Sequence, residues 1–484
     1  MQNFRSKLDY RNAIQGAVER GDFEKALVRI ERLVDRVFCE PLNTAEIFGN
    51  HFLDEMCQRI GRSCLGRIQV ESFAAVHNCT DVAPSPRVVF VLSRLQASGG
   101  HTAVLADIVR LGDSPATVLI TGVGGPTNRR AIEHRFSGIA NLHFEYAPSG
   151  LRLPKLAWLQ RRLLMLDPDT VWLLNHHQDS VAVAAVQPNQ RYVLKYLHHG
   201  DHHLCLGVFL PFGEHFDLHP MGYHSCRDVL LIPANKYLPL VAHDRGHTAV
   251  AGRADDARAL ITCTAAGRNK IEVPYWLSYA EVIPAVLRKN LGQHIHIGRL
   301  SLAFRFRIWL TMRRMGVPSR SFVYIPYVNS VWQALKDYRV DVYISSFPYS
   351  GARTLVEVMG AGIPVALHSH ASTRFLSTLE MAPDGACIWR DITELNDFLT
   401  RESRQTLSER GAKARQHYEK WHAESLLSQV LKGHSLVVPV TRAALTDTID
   451  ELERALEIAR QASLSRVLRS YWVRFGRWLQ AARA

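Results

Sequence analysis

The sequence predicts an α/β protein built from two Rossmann-like halves, with all-helical segments before and after them. Three observations predict it. Short β-branched and aromatic runs alternate with helical runs from residue 87, and the alternation restarts near residue 260. One stretch, Asp341 to His368, reads as strand, tight turn, helix and returning strand. Residues 1 to about 80, and those beyond about 435, carry no strand signal. A chain of 484 residues is too long for one ordinary core. We therefore expect a helical segment at 1–82, Rossmann-like domains at 83–248 and 249–435, and a helical tail at 436–484.

Composition narrows the class. A hydrophobic fraction of 47% with 21% charged residues is that of a soluble globular protein. No apolar run approaches the roughly 20 residues that span a bilayer. The start, MQNFRSKLDYRNAIQ, has neither the apolar core nor the cleavage site of a signal peptide. Eight cysteines are scattered with no Cys-x-x-Cys, which fits a reduced, cytoplasmic setting better than a disulfide framework. The formal charge of +13 suits an anionic partner, and it also serves solubility.

Taken in order, Asn12 to Val34 places apolar residues at helical spacing on both sides of a Gly21-Asp22 turn. This is one tetratricopeptide-like hairpin without a second copy, so it reads as a helical cap rather than a solenoid; an acceptor-docking surface is the other reading. Thr80 to Pro86 is a linker. Strands follow at 87–92, 117–121, 141–146, 171–174 and 191–197, the first leading through Ala97–Thr102 into a helix at 103–111. Such alternation predicts a parallel sheet whose ligands lie beyond the carboxyl ends of its strands. His101 occupies such a place. It could serve as a general base, steady an anionic leaving group, or simply cap its helix.

Histidines crowd the span from His176 to His224. Tyr196 to His203 runs a strand end into a loop, and a further strand is expected at 216–219. Zinc could use some of these imidazoles with Asp201, Cys205 or Cys226. Without a His-x-x-x-His helical pair or a thiolate pair, a polar pocket wall is preferred and no metal site is expected. Asp201 and His202 join His101 as catalytic candidates.

The second alternation starts at 260–264, after a polar crossing at 243–256, and leads into Ala266–Ile271, where Arg268 and Lys270 place cations at a strand end. A helix at 275–289, strand 293–297, helix 301–315 and strand 321–326 continue it. In Asp341 to His368, Pro348 and Gly351 break the strand 341–346, and a helix over 352–359 begins at that turn. A helix N-terminus there offers backbone N–H groups to an anion such as a diphosphate.

The spacing of Gly351, Thr354 and Glu357, followed by Gly362-Ile363-Pro364-Val365, resembles the nucleotide-sugar half of GT-B glycosyltransferases. It looks closest to the family of O-GlcNAc transferases and bacterial cytoplasmic N-glycosyltransferases. The resemblance spans roughly residues 85–430 and implies two facing Rossmann-like domains, a UDP-sugar donor, and metal-free, inverting transfer to an acceptor, with a protein Asn or Ser/Thr side chain as the expected acceptor. It implies Thr354 and the Ser350-Gly351 turn at the diphosphate, Glu357 (where the family often has Asp) at the ribose, and Lys270 neutralising the departing diphosphate. Ser330 stands where the family's base-binding loop carries a basic residue. Ser372 and Thr373 are further phosphate or sugar candidates. No cofactor beyond the co-substrate and no nucleic-acid partner are implied. Capsule or lipid-linked glycan synthesis is the alternative acceptor class, and a non-catalytic nucleotide-sugar binder the alternative outside enzymes. In the tail, Leu464, Leu468, Trp472, Phe475 and Leu479 form an apolar stripe among arginines, suited to packing on the first half or to peripheral contact with an anionic membrane.

Overall fold

The computed structural model describes residues 9–38, 47–73, 88–96, 99–112, 114–188, 190–200, 203–247, 259–273, 275–369 and 376–441. They fall into two compact units. One comprises the described parts of Met1–Cys39, Ala45–Leu238 and Ser428–Ala459, the other those of Pro239–Leu427.

The first unit holds a seven-stranded parallel sheet of β1 (Val88–Leu92), β2 (Ala116–Ile120), β3 (Leu142–Tyr146), β4 (Thr170–Leu174), β5 (Val193–His198), β6 (Gly213–Asp217) and β7 (Asn235–Tyr237). Their order is β3-β2-β1-β4-β5-β6-β7. β1 pairs with β2 on one side and β4 on the other, so the direction of winding reverses between β1 and β4. Loops that leave those two strands diverge, and the gap at their carboxyl ends is where doubly wound sheets bind ligands.

Helices at Asp9–Glu19, Phe23–Phe38 and Ser180–Ala185 share one apolar core with this sheet, in which Ile14, Leu27 and Ile30 join Val89, Val91 and Leu173. Polar contacts fix the docking. Glu24 accepts hydrogen bonds from the backbone N–H groups of Arg152 and Leu153, at 3.0 and 2.8 Å, and so caps the helix Arg152–Leu166 from a neighbouring helix. Arg152 in turn donates two bonds of 2.8 Å to Glu31. In the helix His51–Phe73, Gln58 donates to the carbonyls of Val183 and Val186, and both oxygens of Asp54 accept from the backbone of Gly207 and Phe209. The bonds to the carboxylates of Glu24 and Glu31 contribute roughly 1.5–3 kcal/mol each, and the neutral amide bonds of Gln58 about 1 kcal/mol. The hairpin and the helix behind it are thereby built into the first unit.

The second unit holds a six-stranded parallel sheet of β8 (Ile261–Ala265), β9 (Gln293–Ile297), β10 (Phe322–Ile325), β11 (Val342–Ile344), β12 (Val365–His368) and β13 (Cys387–Trp389), ordered β10-β9-β8-β11-β12-β13. The reversal here lies between β8 and β11. Helix Ala352–Gly360 leaves the β11 loop and ends at Gly362, whose φ of 71° is the left-handed conformation of a helix stop. Asp341–His368 is thus a strand–turn–helix–strand unit.

Several expectations shift in detail. Helix Gly100–Leu111 starts three residues early, because Gly99 (φ 150°) turns the chain and His101 enters the first turn. The expected strand at 216–219 lies at Gly213–Asp217, and His219 instead precedes a short helix, Pro220–His224, started by its proline. The turn around Lys270 winds into one helical turn, Arg268–Ile271. The helix expected from 275 begins at Tyr279. Two short edge strands, β7 and β13, had no clear signal, since three residues are too few for an alternation to register. Asp201, His202, Ser372, Thr373 and the C-terminal stripe lie outside the described residues. Among the described residues no helix is long and apolar enough to cross a membrane, and no cysteine is in a disulfide.

Candidate functional site

The second unit's reversal point gathers the residues that the sequence singled out. Lys270 comes off the β8 side and Ser350-Gly351 off the β11 side. Lys270 Nζ donates to the Ser350 carbonyl oxygen at 2.6 Å. A Cβ added to Gly351 would lie 3.3 Å from Lys270 Nζ and 3.5 Å from Thr354 Oγ1. The ammonium, the threonine hydroxyl and the start of helix Ala352–Gly360 therefore surround one small space that a glycine leaves open. No side chain caps that helix at Gly351, so its first N–H groups are not taken by a cap. Burial pulls the Lys270 ammonium down to about 8 from its usual 10.5, and among the described residues no carboxylate pairs with it. A half-buried cation without a counter-ion, beside a helix N-terminus, is an anion site in both charge and shape.

Hydroxyls support the turn. Ser350 Oγ lies 2.9 Å from Ser345 Oγ and 2.6 Å from Thr378 Oγ1, and the Ser350 N–H donates to the Leu376 carbonyl. Ser345 and Thr378 were not singled out in the sequence, because a hydroxyl that orients a turn across distant segments leaves no local pattern.

Glu357 stands one and a half turns further along the helix. Its Oε2 accepts from the Trp332 N–H at 3.2 Å, and its Oε1 lies 3.9 Å from Arg353. This sets the carboxylate against the segment after β10, where a base-binding loop was expected. Ser330 in that loop is the N-cap of helix Val331–Asp337, accepting from the Gln333 N–H. That gives a physical reason for serine at a position where the resembling family has a base-contacting cation. Arg268 is not brought into the cluster: its side chain is exposed, and among the described residues it makes no ion pair.

In the first unit the reversal point holds His101. The ring is buried, and its Nε2 donates to the Leu174 carbonyl oxygen at 2.8 Å, at the end of β4. The ring does not cap its helix. That bond leaves Nδ1 as the lone-pair nitrogen, and Nδ1 has no hydrogen-bond partner among the described residues. His176 and His199 pack against it, with ring centroids at 4.5 and 4.2 Å. Burial lowers His101 to about 4, with the Arg94 charge adding to the effect, and lowers His176 to about 2. The rings are therefore neutral near pH 7. Arg94, just past β1, donates to the Gly124 carbonyl and keeps its buried Nε without a partner among the described residues. It is a cation at the carboxyl edge that the sequence reading passed over.

No protein-family model matches the sequence, and no curated protein matches it significantly. Solved structures do. A glycosyltransferase from Rickettsia africae superposes with a TM-score of 0.54 at 10% identity, over 73% of this chain and 100% of that one. HepE from Anabaena, solved in complex with UDP-glucose, superposes with a TM-score of 0.52 at 12% identity, over 71% of this chain and 98% of that one. This chain has the GT-B fold. In GT-B terms, β1–β7 and β8–β13 are its two Rossmann-like sheets, and the cluster at Lys270, Gly351 and Thr354 sits at the reversal point of the second.

Proposed function

We propose that the protein is a glycosyltransferase that moves a sugar from a UDP-sugar to an acceptor. The observation that carries this reading is the convergence of Lys270 Nζ, the Gly351 gap and Thr354 Oγ1 at an uncapped helix N-terminus. A diphosphate is the group that such a constellation suits: two or three anionic oxygens, one ammonium, one hydroxyl and a fan of amides. The Anabaena protein of like fold was solved with UDP and with UDP-glucose, which supports uridine as the base. Glu357 is then the partner of the ribose hydroxyls.

On this reading an acceptor nucleophile attacks the anomeric carbon as the bond to the diphosphate oxygen breaks. The electron pair stays with UDP, where Lys270 and the helix amides stabilise the growing charge. Because they do so more strongly as charge develops, they lower the barrier rather than merely tighten binding. The proposed transfer needs no metal and inverts the anomeric centre. The proposed base for the acceptor proton is His101, through Nδ1, and Asp201 and His202 are the other candidates. The proposed acceptor is a protein Asn or Ser/Thr side chain.

The test is incubation of the full chain with a panel of UDP-sugars and a protein extract, following UDP release and the intact mass of acceptors. Sugar-sized mass increments on polypeptides support the reading. Increments on glycans alone would redirect it to polysaccharide synthesis. Tight UDP binding with no release from any UDP-sugar would make the protein a nucleotide-sugar binder.

A further inference from the structure

Four buried side chains in the first unit converge on a point away from His101. His198 ends β5, His215 and Asp217 lie on β6, and Cys226 follows in the turn Ser225–Val229. Strand period explains the first three. His215 and Asp217 are two apart and so share a face, and the ladder sets His198 directly beside Asp217. His198, Asp217 and Cys226 are 0% exposed, and His215 is 3% exposed. One ligating atom from each lies within 4.8 Å of the other three.

We infer that these four residues form a closed metal site, with zinc as the metal the donor set best fits. Three of the four shortest separations match a tetrahedron's edges, and the fourth, His198 to Asp217, is a hydrogen-bond length that a bound ion would open by a few tenths of an ångström. Asp217 Oδ1 lies 2.9 Å from His198 Nδ1, 3.3 Å from His215 Nε2 and 3.5 Å from Cys226 Sγ, while Cys226 Sγ lies 3.6 Å from His198 Nδ1. Zinc bond lengths of roughly 2.0–2.3 Å give tetrahedral edges of roughly 3.3–3.8 Å.

A plain hydrogen-bond cluster explains the arrangement less well. Three neighbours crowd one oxygen of Asp217, while its equally buried Oδ2 has no partner among the described residues. A network of donors would use both oxygens; a cation draws all its ligands to one point. His215 Nε2, aimed into the cluster, reaches only Asp217 Oδ1, at 3.3 Å and without good hydrogen-bond geometry. Among the described residues no arginine or lysine pairs with Asp217, so without a cation its carboxylate is buried against two imidazoles and a thiol. Two imidazoles, a carboxylate and a thiolate suit zinc over magnesium or calcium. Four protein ligands leave no open position, so the ion is structural. It would clamp β5, β6 and the Cys226 turn, and it takes no part in the transfer.

The test uses the purified full chain. Elemental analysis should find about one zinc per chain after dialysis without chelator. Stripping the metal should lower Tm, and adding zinc should restore it. Cobalt substituted for zinc should give the intense visible bands of a tetrahedral site together with a thiolate-to-cobalt charge-transfer band. In Cys226→Ser that charge-transfer band should vanish, and zinc affinity should fall by more than the roughly 10–100-fold typical of losing an outer-shell partner. A chain that takes up no zinc and shows no Tm response to it overturns the proposal. So does zinc whose stoichiometry and affinity survive both Cys226→Ser and His215→Ala. If neither variant folds, the cobalt spectrum of the unaltered chain decides: a missing charge-transfer band refutes the site.

Discussion

Lys270 Nζ and the Ser350 carbonyl oxygen are 2.6 Å apart, a contact that joins the segment after β8 to the segment after β11 where the second sheet reverses. The bond uses one of the three ammonium donors and leaves two for a ligand. It also holds the ammonium beside Gly351, so the cation is positioned before any anion arrives. Preorganisation of this kind is what makes a charge effective in stabilising a departing diphosphate.

Lys270→Ala should therefore weaken UDP binding by about 1.5–3 kcal/mol, roughly 10- to 150-fold, the range of a hydrogen bond to a charged group. Turnover should fall further than affinity, because charge on UDP is greatest in the transition state. Calorimetry for UDP and initial rates for UDP release test both halves. Unchanged affinity would remove the diphosphate from this site.

The lysine also sets a pH dependence. Its folded pKa of about 8 lies below the ordinary 10.5, so between those values the unfolded chain holds a proton that the folded chain has lost. The stability contribution of this group thus rises with pH across that window and is flat below it. Ligand affinity runs the other way. A diphosphate needs the ammonium, so UDP affinity should hold below about pH 8 and fall above it, with proton uptake on binding near that pH. Calorimetry in two buffers of different ionisation enthalpy would show the uptake, and Lys270→Ala should abolish it.

Much of this site was legible in the sequence because the second reversal point is built from contiguous motifs. Ala266–Ile271 and Ser350–Glu357 each carry their chemistry within a few residues, and the alternation of strands and helices says that both loops open at one sheet edge. Contacts between segments were not legible. Glu24 capping a helix 128 residues away, or Thr378 bracing Ser350, leaves no periodic trace. The histidine-rich span was legible as chemistry but not as geometry. His-x-x-x-His spacing marks a metal pair on a helix, whereas His215-x-Asp217 is the strand equivalent, placing the two proposed ligands on one face at a separation of two.

Gly351→Ala separates shape from fold. The residue has φ −122° and ψ 94°, a conformation that alanine adopts without strain. The added methyl would stand 3.3 Å from Lys270 Nζ, in the space proposed for phosphate oxygens. Thermal stability should thus stay within a degree or two of the parent, while UDP affinity drops at least tenfold. Equal loss of both in a denaturation series would mean that the glycine serves packing alone.

His101 is expected to govern rate rather than donor binding. Its ring is neutral above about pH 5, so the base form is present throughout the working range, and no acid limb from this residue should be seen between pH 5 and 7. His101→Asn should lower kcat by about 10²–10⁴-fold, the usual contribution of a general base, with UDP affinity unchanged. Isothermal titration beside steady-state kinetics distinguishes this from a folding defect, which would lower both together.

The helix His51–Phe73 gives an internal comparison for the claim that the N-terminal helices belong to the first unit. Gly61 faces helix Ser180–Ala185 so closely that an added Cβ would lie 1.7 Å from the Ala184 carbonyl oxygen. Gly66, a turn and a half along, is exposed and has nothing within 4 Å. Gly61→Ala should therefore force the helices apart and cost about 1–3 kcal/mol. Gly66→Ala should stabilise by about 0.5–1 kcal/mol, since alanine loses less backbone entropy than glycine in a helix. Urea denaturation of the two variants measures the difference. If Gly61→Ala were as harmless as Gly66→Ala, the helix would not be docked on the first sheet's layer, and the segment would be a separable cap after all.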